Sequence, residues 1–98
     1  MEKEIEIEDY DIEIIMLEQY KHLNIILENS YCSTCKKTAT ITNYKSYLNK
    51  LNDIILRGFC LNCEGPVNRY IETGENIQSA TVAEHIKNVL KISKNKKF

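Results

Sequence analysis

Cys32-Ser-Thr-Cys35 and Cys60-Leu-Asn-Cys63 are the two stretches that decide the fold of this 98-residue chain. They contain all four of its cysteines, and a long segment separates Cys35 from Cys60. Each C-x-x-C stretch supplies two thiolates from one tight turn, and a hairpin between the stretches would bring the two turns together. The spacing therefore predicts a tetrahedral site in which Cys32, Cys35, Cys60 and Cys63 hold one structural Zn²⁺.

Other uses of the four cysteines fit the sequence less well. A redox-active C-x-x-C stretch normally occurs once and opens a helix, whereas residues 36–40 have the character of a strand. Paired disulfides are typical of secreted domains, yet residues 1–8 are acidic and lack the apolar core of a signal peptide. A catalytic zinc site keeps one position open for water, and four cysteine ligands close it. Another metal or a metal cluster is a further alternative.

Length, hydropathy and cysteine usage limit the architecture. A chain of 98 residues makes one small domain with a modest core, which a metal ion would strengthen. The sequence contains no run of about 18 apolar residues, so it predicts no membrane span. Cysteines that are kept as metal ligands predict a reducing, intracellular compartment, either cytoplasmic or nuclear.

The net charge of −1 conceals a marked division along the chain. Residues 1–31 carry nine acidic and two basic residues, a net charge of −7, whereas residues 32–98 carry eleven basic and five acidic residues, a net charge of +6. One interpretation is that the two parts neutralise each other in the fold. The other is that the basic part meets a polyanion while the acidic part binds elsewhere or masks it.

Apolar periodicity predicts a helix that begins near Asp9 or Asp11 and ends at Asn29. Within it, Met16, Tyr20, Leu23 and Leu27 have the spacing of a short coiled coil, so a homodimer through this helix is one expectation and packing against the core is the other. Before it, the alternating residues 4–8 contain only two apolar residues, too few to predict a strand.

The remainder of the chain predicts three strands and a second helix. The strands are expected at residues 38–45, 53–57 and 67–72, with turn-prone residues at 43–52. Thr81-Val-Ala-Glu84 has the form of a capping box that starts the second helix. Residues 94–98 are expected to form a disordered basic tail, and His22 and His85 are expected to be ordinary surface or boundary residues.

The predicted fold class is α+β, with a three-stranded antiparallel Cys₄ zinc ribbon flanked by an N-terminal and a C-terminal α-helix. The predicted organisation is an acidic leader and amphipathic helix at residues 1–30, a zinc ribbon at 31–74, and a C-terminal helix with a basic tail at 75–98.

The central segment resembles a family of short zinc ribbons found in archaeal, phage and large-virus proteins. The resemblance rests on Tyr31-Cys-x-x-Cys-Lys-Lys-Thr38 and on Arg57-Gly-Phe-Cys-x-x-Cys-x-Gly-x-Val-x-Arg-Tyr-Ile71, and it covers about residues 31–74. It implies that the four cysteines are metal ligands. Such ribbons commonly have Pro after the third cysteine and Gly after the fourth, where this chain has Leu61 and Glu64.

Two functions from different classes follow from these features. The first is a protein-interaction module on a structural zinc core, attached to the transcription or replication machinery as one expectation, with Tyr47, Leu48 and Leu51 as the candidate partner surface. The second is direct binding of DNA or RNA. Its candidate contacts are Lys36, Lys37, Lys45, Lys50, Arg57 and Arg69, with tyrosines available for stacking on bases. An enzyme is not expected, because no nucleophile–base order, phosphate loop or paired-carboxylate constellation is present.

Overall fold

A computed structural model describes residues 4–95 of the chain and the side chains of residues 4–91. The strands are β1 (Ile5–Ile7), β2 (Ser30–Cys32), β3 (Lys37–Ala39), β4 (Ile41–Leu48), β5 (Ile54–Cys60) and β6 (Pro66–Ile71). The helices are α1 (Asp9–Met16), α2 (Leu23–Glu28) and α3 (Ile77–Asn95), with 3₁₀ helices at Leu17–His22 and Thr73–Glu75. Of the predicted disordered basic tail at residues 94–98, residues 94–95 belong instead to α3, and residues 96–98 lie outside the described residues.

Four strands form one antiparallel sheet in the order β1-β4-β5-β6, and β2 pairs with β3 in a separate hairpin. The three predicted strands are present as β4, β5 and β6, and they pair antiparallel in chain order. The α+β class is therefore confirmed. The predicted three-stranded ribbon is wrong for the sheet, because β1 adds a fourth strand and the first cysteine pair lies on its own hairpin.

Strand β1 was not expected from the sequence. It pairs with β4, so that Ile5 lies opposite Leu48 and Ile7 lies opposite Ser46. Ile7 is buried while Glu6 is exposed, which is the alternation of an edge strand with one covered face. Two apolar residues are sufficient here because β4 supplies the pairing partner.

The predicted N-terminal helix is present but divided. Its first hydrogen-bonded turn is closed by Asp11, whose Oδ2 accepts the backbone N–H of Glu8 at 2.9 Å. The helix breaks at Leu17, whose backbone φ of 56° lies in the left-handed region, and the chain continues as a 3₁₀ helix before α2. The apolar stripe still reaches the core, since Met16 and Leu23 are buried. These two residues are therefore already covered within one chain.

The predicted turn at residues 43–52 is shorter than expected, because β4 continues to Leu48. A register shift between Thr42 and Lys45 bends β4, and Asn43 there has a φ of 49°. Gly58 lies opposite this bulge, and a Cβ on Gly58 would be 2.6 Å from both Ile41 Cγ2 and the Thr42 carbonyl oxygen. The absence of a side chain at Gly58 therefore allows β4 to approach β5.

The hydrophobic core lies between one face of the sheet and the helices. Its fully buried large side chains include Ile12 and Ile15 from α1 and Leu48, Ile54 and Leu56 from the sheet. No helix in the described part of the chain combines the length and apolar character needed to cross a bilayer.

Helix α3 begins earlier than the predicted capping box. Asn76 caps it, because its Oδ1 accepts the backbone N–H of Ser79 at 3.0 Å. Thr81 lies inside the helix, where its Oγ1 donates to the Ile77 carbonyl at 2.9 Å. Ala83 and Ile86 carry the buried face of α3 into the core.

Candidate metal centre

Two tight turns bring the four cysteines together. The first knuckle joins β2 to β3 and contains Cys32 and Cys35, and the second joins β5 to β6 and contains Cys60 and Cys63. Cys32 Sγ lies 3.5 Å from Cys63 Sγ, and Cys35 Sγ lies 3.8 Å from Cys60 Sγ. All four sulfur atoms lie within 4.8 Å of one another. The close pairs join one knuckle to the other.

These distances match a tetrahedral metal site and do not match disulfides. Sulfurs at about 2.3 Å from a central zinc ion would be about 3.8 Å apart, whereas a disulfide bond measures about 2.05 Å. All four cysteines are unbridged. Among the described residues, they form the one group of three or more Cys, His, Asp or Glu ligand atoms close enough to share an ion. Neither histidine belongs to it.

The two knuckles have the same backbone construction. In the first, the N–H of Lys36 donates to the carbonyl of Cys32 at 2.7 Å, and in the second, the N–H of Glu64 donates to the carbonyl of Cys60 at 2.9 Å. Lys36 has a φ of 59° and Glu64 a φ of 62°. Both residues therefore occupy the left-handed region that favours glycine. Glu64 follows the fourth cysteine, and this is the position where the resembling ribbons commonly have Gly.

Backbone amides point at three of the sulfurs. Cys32 Sγ accepts from the N–H of Cys35 at 3.3 Å, Cys60 Sγ from that of Asn62 at 3.4 Å, and Cys63 Sγ from that of Gly65 at 3.4 Å. Such donors favour thiolate over thiol, which is the form that binds metals. The turns thus favour the negatively charged form of the sulfur atoms, to which a metal ion can bind.

Hydrogen bonds within the centre shift the pKa values of its thiols in opposite directions. The hydrogen bond from the backbone of Cys63 lowers the pKa of the Cys60 thiol to about 7. The hydrogen bond with the Cys63 side chain raises the pKa of Cys35 to about 12. Neighbouring sulfurs therefore retain protons between them in the absence of a cation, and a bound divalent ion would displace these protons.

Gly65 and Thr34 contribute to the centre, although neither was a predicted site residue. A Cβ on Gly65 would lie 2.8 Å from Thr34 Oγ1 and 3.3 Å from Cys63 Sγ, so a larger residue would press the knuckles apart. The carbonyl of Gly65 also accepts the N–H of Cys60 at 2.8 Å. The sequence did contain a signal for this role. Gly65 lies one position after the place where the resembling ribbons commonly have their glycine.

Burial of the cysteines is uneven. Cys32 and Cys60 are buried, Cys35 is half-buried and Cys63 is exposed. The centre consequently lies at the surface of one end of the molecule. Its two buried cysteines, Cys32 and Cys60, attach it to the core.

The predicted nucleic-acid contacts do not form one cluster of unpaired cations. Lys36 and Lys37 are exposed beside the first knuckle, while Lys45 and Lys50 are exposed on β4 and on the turn after it. Arg57 forms an ion pair with Glu4, and its Nη1 donates to Asn68 Oδ1 at 3.1 Å. Arg69 is half-buried, and its buried Nε lacks a partner among the described residues.

The predicted partner surface is divided in the same way. Leu51 is 66% exposed at the β4–β5 turn and Tyr47 is half-buried. Leu48 is fully buried, because it points into the core on the face opposite Tyr47. It cannot belong to a contact surface, and the alternation of a strand that extends to residue 48 explains the error.

No protein-family model matches this chain, and neither the curated proteins nor the solved structures contain a match to it.

Proposed function

We propose that the protein is a small zinc-stapled module whose metal centre is structural and whose surface binds a protein partner. The arrangement of the four sulfurs carries the first part of this proposal. Cys₄ donor sets favour Zn²⁺, and a closed sphere of thiolates leaves no position for a substrate. The likeness of residues 31–74 to zinc ribbons supports the same ion.

The zinc would reinforce the attachment of a short hairpin whose buried residues, Ser30, Cys32 and Ala39, already reach the core. The β2–β3 hairpin is only three residues on each side, which is too short to be stable alone. Bound metal would fix this hairpin to the β5–β6 turn and hence to the sheet. Lys36 and Lys37 lie beside the knuckle and would offset part of the net charge of about −2 on a Cys₄ zinc cluster.

The interaction part of the proposal is supported by apolar side chains that neither the core nor the cysteines use. Those more than half exposed include Tyr10, Ile25, Tyr31, Leu51, Leu61, Tyr70 and Ile77. Single exposed apolar residues are normal, so the support comes from those that lie together, as Tyr10 does with Ile14 one turn later on α1.

Two measurements test this function. Elemental analysis is expected to give one zinc per chain, and Co²⁺ substitution is expected to give the absorption of a tetrahedral thiolate site. Affinity capture from the native source with zinc-loaded protein is expected to retrieve a defined partner, and capture with a Cys32→Ser, Cys60→Ser variant is expected to lose it. A folded protein without metal, or a zinc-loaded monomer that retrieves nothing, would reject the proposal.

One observation favours nucleic-acid binding as a second candidate. The sheet face away from the core displays Tyr47, Phe59 and Tyr70 on adjacent strands, and Arg57 lies 5.9 Å from the centre of the Tyr47 ring. Phe59 and Tyr70 are each about half exposed, at 48% and 53%. Aromatic side chains with interleaved cations can stack and neutralise a single strand.

The acidic residues of β1 oppose this candidate. Glu4 already pairs with Arg57, and Glu6 lies opposite Tyr47 in the strand register. Anisotropy titrations of single-stranded DNA and RNA at low and moderate salt would test it, with Glu4→Gln and Tyr70→Ala as variants. Binding that rises with Glu4→Gln and falls with Tyr70→Ala is expected if this face binds nucleic acid. Absence of binding at low salt rejects it.

A further inference from the structure

A second surface, on the helical side of the molecule, combines an apolar stripe with a cavity. Tyr10 and Ile14 lie one turn apart on α1 and are 69% and 50% exposed, while Leu17 follows at the end of the helix and is 39% exposed. This stripe is on the opposite side of α1 from the buried Ile12 and Ile15. Nothing else in the described part of the chain covers it.

The stripe leads into an open cavity of about 610 Å³. Leu17 belongs both to the stripe and to the cavity lining, and Met16, Ile26 and Ile71 provide further apolar lining. The beginning of α3 forms another side, next to Ile77, which is 84% exposed. The volume is sufficient for one or two large apolar side chains.

The charged residues that line this cavity have one sign. Glu18 and Glu72 line the cavity, and no basic residue lines it. Glu13 is exposed on α1 next to Ile14, and Glu75 follows β6 close to Glu72, which raises the pKa of the Glu75 carboxyl by hydrogen bonding and repulsion. An occupant would therefore need apolar anchors with positive charges on either side.

Leu17 occupies a strained backbone conformation at the rim. Its φ of 56° is one that residues with a Cβ rarely adopt, and a glycine would relieve the strain. Strain of this kind is often retained where a side chain has a task at a binding surface. Here the strained position places an apolar side chain at the junction of the stripe and the cavity.

We infer that this groove docks a basic amphipathic helix of a partner protein. Apolar residues of that helix at i, i+3/i+4 and i+7 would lie along Tyr10, Ile14 and Leu17, one of them would enter the cavity, and its Lys or Arg residues would face Glu13, Glu18 and Glu72. A second copy of the same surface is disfavoured as the occupant, because it would bring two acidic rims together. The inference rests on the proposed interaction function and specifies its site and partner chemistry.

A model peptide can test the groove directly. The probe is a fluorescein-labelled sixteen-residue peptide of Leu and Lys with helical periodicity, titrated against zinc-loaded full-length protein by anisotropy. An isomer of the same composition with Leu at every second position is the charge-matched control. We expect binding of the helical peptide at micromolar concentrations, at least tenfold tighter than the isomer, and weakening as salt rises.

Variants distinguish the groove from general acidity. Ile14→Ser and Glu18→Lys are each expected to weaken binding by at least fivefold. Leu61→Ser and Glu6→Lys, which make comparable changes at exposed positions away from the groove, are expected to change binding less than twofold. Leu17→Gly is expected to weaken binding while leaving thermal stability unchanged or higher, a combination that a purely structural role would not give.

Several outcomes would overturn the inference. These are equal binding of the two peptides, equal effects of groove and control variants, absence of binding, or a dimer in light scattering that Ile14→Ser dissociates. If affinity capture retrieves a partner that binds the Ile14→Ser and Glu18→Lys variants unchanged, the interaction function stands and the groove is wrong. If capture retrieves nothing while the peptide binds the groove as expected, the groove stands as a peptide-binding site and the proposed interaction function is rejected.

Discussion

Strand β5 connects two ends of the molecule that are held together by different forces. At its carboxyl end, Cys60 meets three other sulfurs from two turns, and one of the four cysteines, Cys63, is exposed to solvent. At its amino end, Ile54 and Leu56 are fully buried, and the turn before them is fixed by its own polar side chains. Under the proposed function, the cysteine end depends on a bound ion for its stability, whereas the other end is complete within the chain. Loss of one should therefore be separable from loss of the other.

Metal removal should give the largest effect and break the comparison at the cysteine end. Structural zinc contributes on the order of 10–16 kcal/mol of apparent binding free energy in small zinc-binding peptides. Chelation is expected to abolish hydrogen-exchange protection in residues 30–39 and 60–66 and to retain more of it in β4 and α1. Zinc should restore the protection, and an apoprotein with unchanged exchange would contradict the prediction.

Leu56→Ala tests the other end. Leu56 is fully buried between the sheet and the helices, and truncation of such a side chain typically costs about 2–5 kcal/mol. Chemical denaturation should show this loss over the whole molecule, while elemental analysis of the remaining folded protein still gives one metal per chain. Leu61→Ala, at a position 62% exposed within the second knuckle, should change stability by less than about 0.5 kcal/mol.

Asn49→Ala tests whether the β4–β5 turn is fixed by its own side chains. Asn49 is 8% exposed, and its Oδ1 accepts the backbone N–H groups of Leu51 and Asp53, each at 2.9 Å. Its removal leaves two amides without this acceptor, so a loss of about 1–3 kcal/mol is expected in denaturant melts. Lys50→Ala, exposed in the same turn, is the control, and equal effects of the two variants would mean that the side-chain hydrogen bonds are unimportant.

Glu64→Gly should give the smallest effect and should sharpen the comparison between the two knuckles. Glycine relieves the left-handed backbone at this position, but it also gains freedom in the unfolded chain, so a net stabilisation of about 0.5–1 kcal/mol is expected. Thermal melts of zinc-loaded Glu64→Gly and Lys36→Gly should both shift upwards by a few degrees. Opposite signs at the two positions would show that the knuckles are not equivalent.

The cysteine centre was predictable because its ligands are repeated at a fixed spacing. A C-x-x-C stretch allows few local geometries, and two such stretches have few ways of meeting. The strands β5 and β6 were predictable for a related reason, since runs of β-branched and apolar residues follow turn-prone residues, Asn52 before β5 and Gly65 before β6.

The rest depended on tertiary partners that the local sequence does not identify. Strand β1 has too few apolar residues to be recognised, and it exists because β4 offers an unpaired edge. The break at Leu17 has no glycine or proline to announce it. Leu48 was placed on the surface because the bulge near Asn43 and the longer β4 could not be anticipated. The groove beside α1 was not predicted either, because the apolar periodicity of the helix marks the face that is buried against the core and not the exposed face.

The pairing of Ile5 with Leu48 also constrains the order in which a nascent chain can assemble. Strand β1 is synthesised before β4, and β4 leaves the ribosome only after both cysteines of the first C-x-x-C stretch. Until then Ile5 and Ile7 have no strand edge with which to pair, so this segment remains unpaired and exposed to solvent. Its glutamates then oppose aggregation. Long-range pairing of this kind slows folding, and it makes addition of β1 a late event in completing the sheet.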